Sequence, residues 1–167
     1  VQIFLDDVIG LTDAAYRTYA GRMPSVDFRS LYGIAALYPA ALGLHLGYAP
    51  GGALAAGQFL TAGFLLTIAV LVSRERLSRI SAILLLVFVG FIVMVPMRPG
   101  GSPGDLTFAL FYTRFGWAAL AISLLFYLDP RSIRRTGFVV DTLLLTGLLL
   151  YLFNLKITFG AIATAFV

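Results

Sequence analysis

Six side chains have the type and setting to do chemistry: Asp6, Asp7, Asp27, Arg98, Arg114 and Lys156. Asp6 and Asp7 stand where an apolar tail meets a polar helix. A carboxylate there is partly desolvated and so poised as a base or as a cation ligand; the plain alternative is a helix cap or an interfacial stop. Arg114 lies in FALFYTRFGWAAL, about eight residues into an apolar run. A guanidinium at that depth must face a bundle interior or a wet cavity and meet an acid, a carbonyl or an anionic ligand. The competing reading is snorkelling, because eight residues are only about 12 Å of helix. Lys156 follows the last long apolar run and offers a point charge for a phosphate. Asp27, in Pro24-Ser25-Val26-Asp27-Phe28, belongs to a tight polar turn and has the alternative role of capping the next helix.

Other polar residues have simpler readings. Asp13 and Arg17 are an i,i+4 pair worth about 0.3–0.5 kcal/mol. Asp141 is expected to close a terminal ion pair with Arg134 or Arg135, and His45 to be packed and hydrogen-bonded. Tyr112 and Trp117 have the composition of an interfacial aromatic belt. The chain has no Cys, so disulfides, thiolate metal sites and cysteine nucleophiles are excluded. One His and scattered acids predict no metal site, and no Gly-rich phosphate loop, H-E-x-x-H or nucleophile elbow is present. Any activity must therefore come from residues dispersed over loops and helix ends.

The elements that position these residues are read from hydropathy. At 60% apolar residues and only 12% charged ones over 167 residues, the composition does not suit a soluble domain. Runs at 53–72, 80–97, 106–128 and 138–153 are long and continuous, as membrane-crossing helices are. A weaker segment, 31–49, is interrupted by Gly33, Pro39, Gly43, His45 and Gly47; it could cross, kink or re-enter. Residues 6–30 are polar, with a short helix over roughly 9–20 ending near Gly21, and must lie outside hydrocarbon. Pro50-Gly51-Gly52 reads as a turn, RPGGSPGD at 98–105 as an irregular connection, and 73–79 and 129–137 as basic loops. The expected fold is all-α: a polytopic transmembrane bundle of about five to six apolar segments. Residues 1–30 form a polar extramembrane part with a short helix, and residues 31–167 the bundle. The chain reads as a piece of a longer protein, with Val1–Leu5 the tail of one span and 157–167 the start of another.

The net charge of +4 comes from eleven Arg and one Lys, several in short loops, which suits membrane anchoring and not nucleic-acid binding. Loops 73–79 and 129–137 each carry three Arg against one acid, which places them in the cytoplasm. Loop 98–105 and the 154–156 connection are then external. The side of 6–30 depends on 31–49. A full crossing puts it in the cytoplasm, whereas re-entry gathers Asp6, Asp7, Asp27, Arg98, Arg114 and Lys156 on one external face.

The chain shows an acidic residue after a first span, a polar helix, Gly21-Arg22-Met23-Pro24, Asp27-Phe28, Leu31-Tyr32-Gly33, Phe111 to Trp117 and Lys156-Ile157-Thr158-Phe159. In this layout it resembles the GT-C superfamily of polytopic glycosyltransferases, and a group of bacterial membrane proteins of similar plan. The resemblance implies transfer of a sugar from a polyprenyl-phosphate donor at the outer face of a bacterial inner membrane. Asp6 or Asp7 would be the base, and Arg114 and Lys156 would hold the donor phosphate. The implied partners are membrane lipid, the lipid-linked donor and other membrane subunits, with no cofactor beyond a divalent cation. In that superfamily the segment matching 31–49 crosses, which here sets the charge bias on the wrong side. Two other functions compete. One is a transporter or channel subunit with Arg114 and Asp141 along its path and 31–49 in its gate. The other is a non-catalytic subunit packed through Ala56, Gly57 and Gly63.

Overall fold

A computed structural model describes residues 2–30, 32–94, 111–128 and 135–165, with side chains described throughout except at 2–7, 111 and 135–137. Among the described residues the chain is all-helical, and the one bridge is the isolated Pro24–Phe28 contact. The helices are α1 (Gln2–Tyr19), α2 (Ile34–His45), α3 (Pro50–Arg76), α4 (Arg79–Met94), α5 (Phe111–Leu124), α6 (Arg135–Leu155) and α7 (Ile157–Ala165). A 3-10 turn, Leu125–Tyr127, extends α5.

Local chemistry sets most of the boundaries. Gly21 and Gly47 take φ of +82° and +85°, which lets the chain leave α1 and α2 through the same closing motif. Arg22 N–H donates to the Arg17 carbonyl (3.0 Å) and Gly21 N–H to that of Thr18 (3.0 Å); Tyr48 and Gly47 repeat the pattern onto Gly43 and Leu44 (3.1 and 3.0 Å). The helix expected near 9–20 does end at Gly21, but it starts at Gln2 and absorbs the first apolar residues.

Two expected loops are helix instead. Pro50-Gly51-Gly52 is the first turn of α3, because proline at the first helical position loses no intrahelical bond and its φ suits the helix. The basic stretch 73–79 is mostly the last turn of α3, where Arg74 and Arg76 complement the helix dipole. Only Leu77 and Ser78 remain between helices, and the Ser78 hydroxyl caps α4 by accepting from Ser81 N–H (3.1 Å).

Among the described residues two helices, α3 and Phe138–Leu155 of α6, are long and apolar enough to cross a membrane. The weak segment is not of that kind. With twelve residues, α2 is about 18 Å long, against about 30 Å of hydrocarbon core. It runs antiparallel along the first half of α3, with Gly43 against Ala53 and Gly57 against Pro39 and Ala40. The absence of side chains at these glycines lets the two backbones touch.

The second half of α3 lies beside α6, from Phe64 against Tyr151 (ring centroids 5.7 Å) to Arg76 bonded to Asp141. Thus α6 and α2 follow one another along α3, and they meet where Gly33 abuts the main-chain oxygens of Asn154 and Leu155. That junction sets the positive N-terminus of α2 on the negative C-terminus of α6. The main core, including Leu65, Val72, Val89, Ile122, Leu148 and Leu152, joins α3 to α6. A smaller one, with Ala15, Ala40, Leu44, Ala53 and Leu54, seats α1 on α2 and α3.

Candidate functional site

The bundle has two chemically different ends. At one, the C-terminus of α3, Arg76 Nη2 donates to Asp141 Oδ2 at 2.7 Å, and the guanidinium lies 5.0 Å from the Phe126 ring centroid. The Arg76 side chain is 3% exposed and that of Asp141 28%. Asp141 was expected to pair with Arg134 or Arg135 beside it in sequence; Arg134 and the Arg135 side chain lie outside the described residues, and the partner that the structure describes is Arg76, 65 positions away. The end of α3 and the start of α6 are neighbours in the bundle.

The opposite end centres on Lys156, which breaks the helix between α6 and α7. Its N–H still bonds back to Leu152 (3.0 Å), and its carbonyl accepts from Phe159 N–H (2.9 Å), so the chain reverses within one residue. From there α7 folds back along α6, with Phe159 against Gly116 and Gly160 against Phe153. The reversal presents the Lys156 ammonium 5.5 Å over the Tyr112 ring, and Tyr112 meets Tyr32 edge-on at 5.7 Å and 80°. A cation so placed is held electrostatically by the ring face while the ammonium stays exposed. Beneath the two tyrosines a cleft of about 40 Å³, lined by Leu11, Gln58, Thr61 and Phe115 as well, has room for a water or a small polar group.

The predicted site residues distribute unevenly over this end. Lys156 is central. Arg114 is half-buried in α5, two residues from Tyr112. Asp6 and Asp7 belong to α1, and Asp7 precedes the cleft residue Leu11 by one helical turn. Asp27 is exposed and does not cap α2, whose N-cap is Gly33 without a side-chain bond. Its carboxylate closes its own turn by accepting from Met23 N–H at 2.6 Å. Arg98 lies outside the described residues.

His45, expected to be packed, is exposed and meets the Tyr19 ring at a tilt of 53°, with ring centroids 4.6 Å apart. Asp13 and Arg17 do pair, at 2.8 Å and well exposed. A transport path through Arg114 and Asp141 finds these residues at opposite ends of the bundle, and Asp141 bonded to Arg76. Gly57, considered for contact with another subunit, is buried against α2, whereas Gly63 is exposed. Among the described residues no group of three or more His, Asp or Glu is placed to hold a metal ion.

Sequence reading missed the Tyr32–Tyr112–Lys156 clasp and the Arg76–Asp141 pair. Only the break in helical pattern at Asn154-Leu155-Lys156 hinted at the first. Nothing local pointed to the second. The chain matches no protein-family model, no curated protein and no solved structure.

Proposed function

We propose that this is a multi-pass protein of the bacterial inner membrane that transfers a sugar from a lipid-phosphate donor at the Lys156 end. Membrane insertion is supported by the outward faces. Only 17% of Phe138–Leu155 is buried, and Phe138, Leu143, Ile80 and Phe91 are each at least 66% exposed. Water does not tolerate so continuous an apolar surface, whereas lipid does. The Arg76 end, where Arg74 and Arg79 also lie, then faces the cytoplasm and the Lys156 end faces outward. The short α2 supports the re-entrant alternative for 31–49, with α1 and its acids on the same side as Lys156.

The observation that carries the transfer reading is the exposed Lys156, whose ammonium lies 5.5 Å over the Tyr112 ring beside a cleft that α1, the helix bearing Asp6 and Asp7, also lines through Leu11. In this reading Asp7 or Asp6 accepts the proton of the acceptor hydroxyl as its oxygen bonds to the anomeric carbon. The bond from that carbon to the phosphate oxygen breaks, and Lys156, with Arg114, neutralises the departing lipid phosphate.

Two experiments test this. On the naturally Cys-free chain, single cysteines at Ser25, Ser78 and Ser102 are labelled in intact cells with an impermeant reagent. Ser25 and Ser102 positions are expected to react and Ser78 to stay protected; protection at Ser25 ends the external-site reading. In proteoliposomes loaded with a polyprenyl-phosphate sugar, Lys156→Ala should raise the donor KM by about 10–100-fold, the worth of a hydrogen bond to a charged group. Asp7→Asn and Asp6→Asn should lower kcat while lipid binding persists. Full turnover in both acid variants would remove the proposed bases.

A further inference from the structure

A second recess lies beside the Gly33 junction. It is an open groove of about 670 Å³ between α2, α3 and α6, a size typical of small-molecule sites. Its walls are Ile34 and Tyr38 of α2, Leu60 and Phe64 of α3, and Tyr151 and Asn154 of α6. Ile34, Tyr38, Leu60 and Phe64 are each partly exposed on the outer surface, so the groove opens sideways toward lipid and not into the bundle. Its chemistry is graded along α6. The Phe64 and Tyr151 rings make the floor on the bundle side, where the Tyr151 hydroxyl is buried without a protein partner, and Asn154 stands one residue before the end of the apolar stretch Phe138–Leu155. No charged side chain lines it among the described residues. Asn154 donates one amide proton to the Leu150 carbonyl at 2.7 Å, which leaves its second N–H and its oxygen for another partner.

We propose that this groove holds one acyl chain of a membrane glycerophospholipid, with the ester carbonyl of that chain accepting from the Asn154 carboxamide. The occupant follows from depth and charge. A glycerolipid carries an uncharged acceptor where its chain ends, and Asn154 supplies a donor where the apolar stretch of α6 ends. A polyprenyl phosphate carries its anionic phosphate directly on the chain. Among the side chains that line this groove that charge would meet no cation. The bound lipid fills the recess where α6 gives way to α2 and so ties the short helix to the bundle. The inference rests on the membrane placement above and is independent of the transfer chemistry.

The full chain, purified in detergent, is offered a diacyl phosphatidylglycerol, its dialkyl ether analogue with the same headgroup, and a polyprenyl phosphate, and retained lipid is read by native mass spectrometry. The ester lipid should be held about 3–10-fold better than the ether, the worth of a neutral hydrogen bond. Asn154→Leu should abolish that difference while keeping both lipids. Leu60→Trp, which fills the groove, should weaken both by about tenfold. Equal retention of ester and ether by the wild-type chain overturns the proposal, as does preferential retention of the polyprenyl phosphate, which would assign the groove to a donor. A second readout does not depend on the folding of the filled variant. With Trp117→Phe and Phe64→Trp, a phospholipid brominated on its chain should quench the single tryptophan at equimolar lipid, and absence of quenching refutes occupancy.

Discussion

Arg76→Met is expected to destabilise the chain by about 3 kcal/mol, and Arg76→Met combined with Asp141→Leu to recover most of that loss. Removing one partner of a buried ion pair costs about 3–5 kcal/mol, because the other charge is left without compensation. The lower end applies here, since the Asp141 side chain is 28% exposed and regains some solvation. Replacing both partners with apolar residues removes the desolvation cost together with the attraction, which is often neutral or better. Arg76 also packs its guanidinium 5.0 Å from the Phe126 centroid, so Met, which fills space and contacts aromatic rings, is a better replacement than Ala. The pair ties the end of α3 to the start of α6, where Phe138, Val139 and Val140 are otherwise exposed. Thermal unfolding of the single and double variants in one detergent measures the effect. A double variant no more stable than Arg76→Met would mean that the loss came from packing and not from the orphaned carboxylate.

Gly57→Ala and Gly63→Ala, six residues apart on one helix, are expected to move stability in opposite directions. A Cβ at Gly57 would stand 2.7 Å from Ala40 N, 2.9 Å from Pro39 C and 3.0 Å from Ala40 Cα. All three are backbone atoms of α2, so no side chain can swing aside, and the helices must separate. Overpacking of this kind costs about 1–3 kcal/mol. It should also disturb the junction of α2 with α6. A Cβ at Gly63 meets nothing within 4 Å, and there alanine adds up to about 1 kcal/mol by helix propensity alone. Thermal midpoints of the two variants against wild type decide the matter; a fall in both would show that α3 tolerates no alanine for reasons other than its contact with α2.

What the sequence by itself determined was the class of structure and the solvent-facing chemistry of its pieces. Continuous apolar runs demand helices because every backbone polar group must be satisfied within the run when water is excluded. The end of α1 was legible from Gly21, because a left-handed residue is a local requirement that glycine meets without strain. The Asp13–Arg17 pair was legible for the same reason, since i,i+4 neighbours meet on any helix. The fate of 31–49 was not. An apolar stretch broken by Pro39 and three glycines satisfies the composition of a crossing, a kink or a half-length helix alike, and the choice fell to Gly57, Gly43 and Gly33, whose bare backbones admit close contact with α2, α3 and α6.

The candidate site divides along the same line. Lys156 stood out as the one lysine after the last long apolar run, yet Tyr32 and Tyr112 join it only because α2 begins beside the end of α6 and α5 starts beneath both. Asp141 was marked as half of an ion pair, and tertiary packing decided that its other half was Arg76. Local motifs depend on neighbours within a turn or two, which the order of residues states outright. Clasps, grooves and buried ion pairs depend on which helices end at the same level, and that is set by the packing of whole faces.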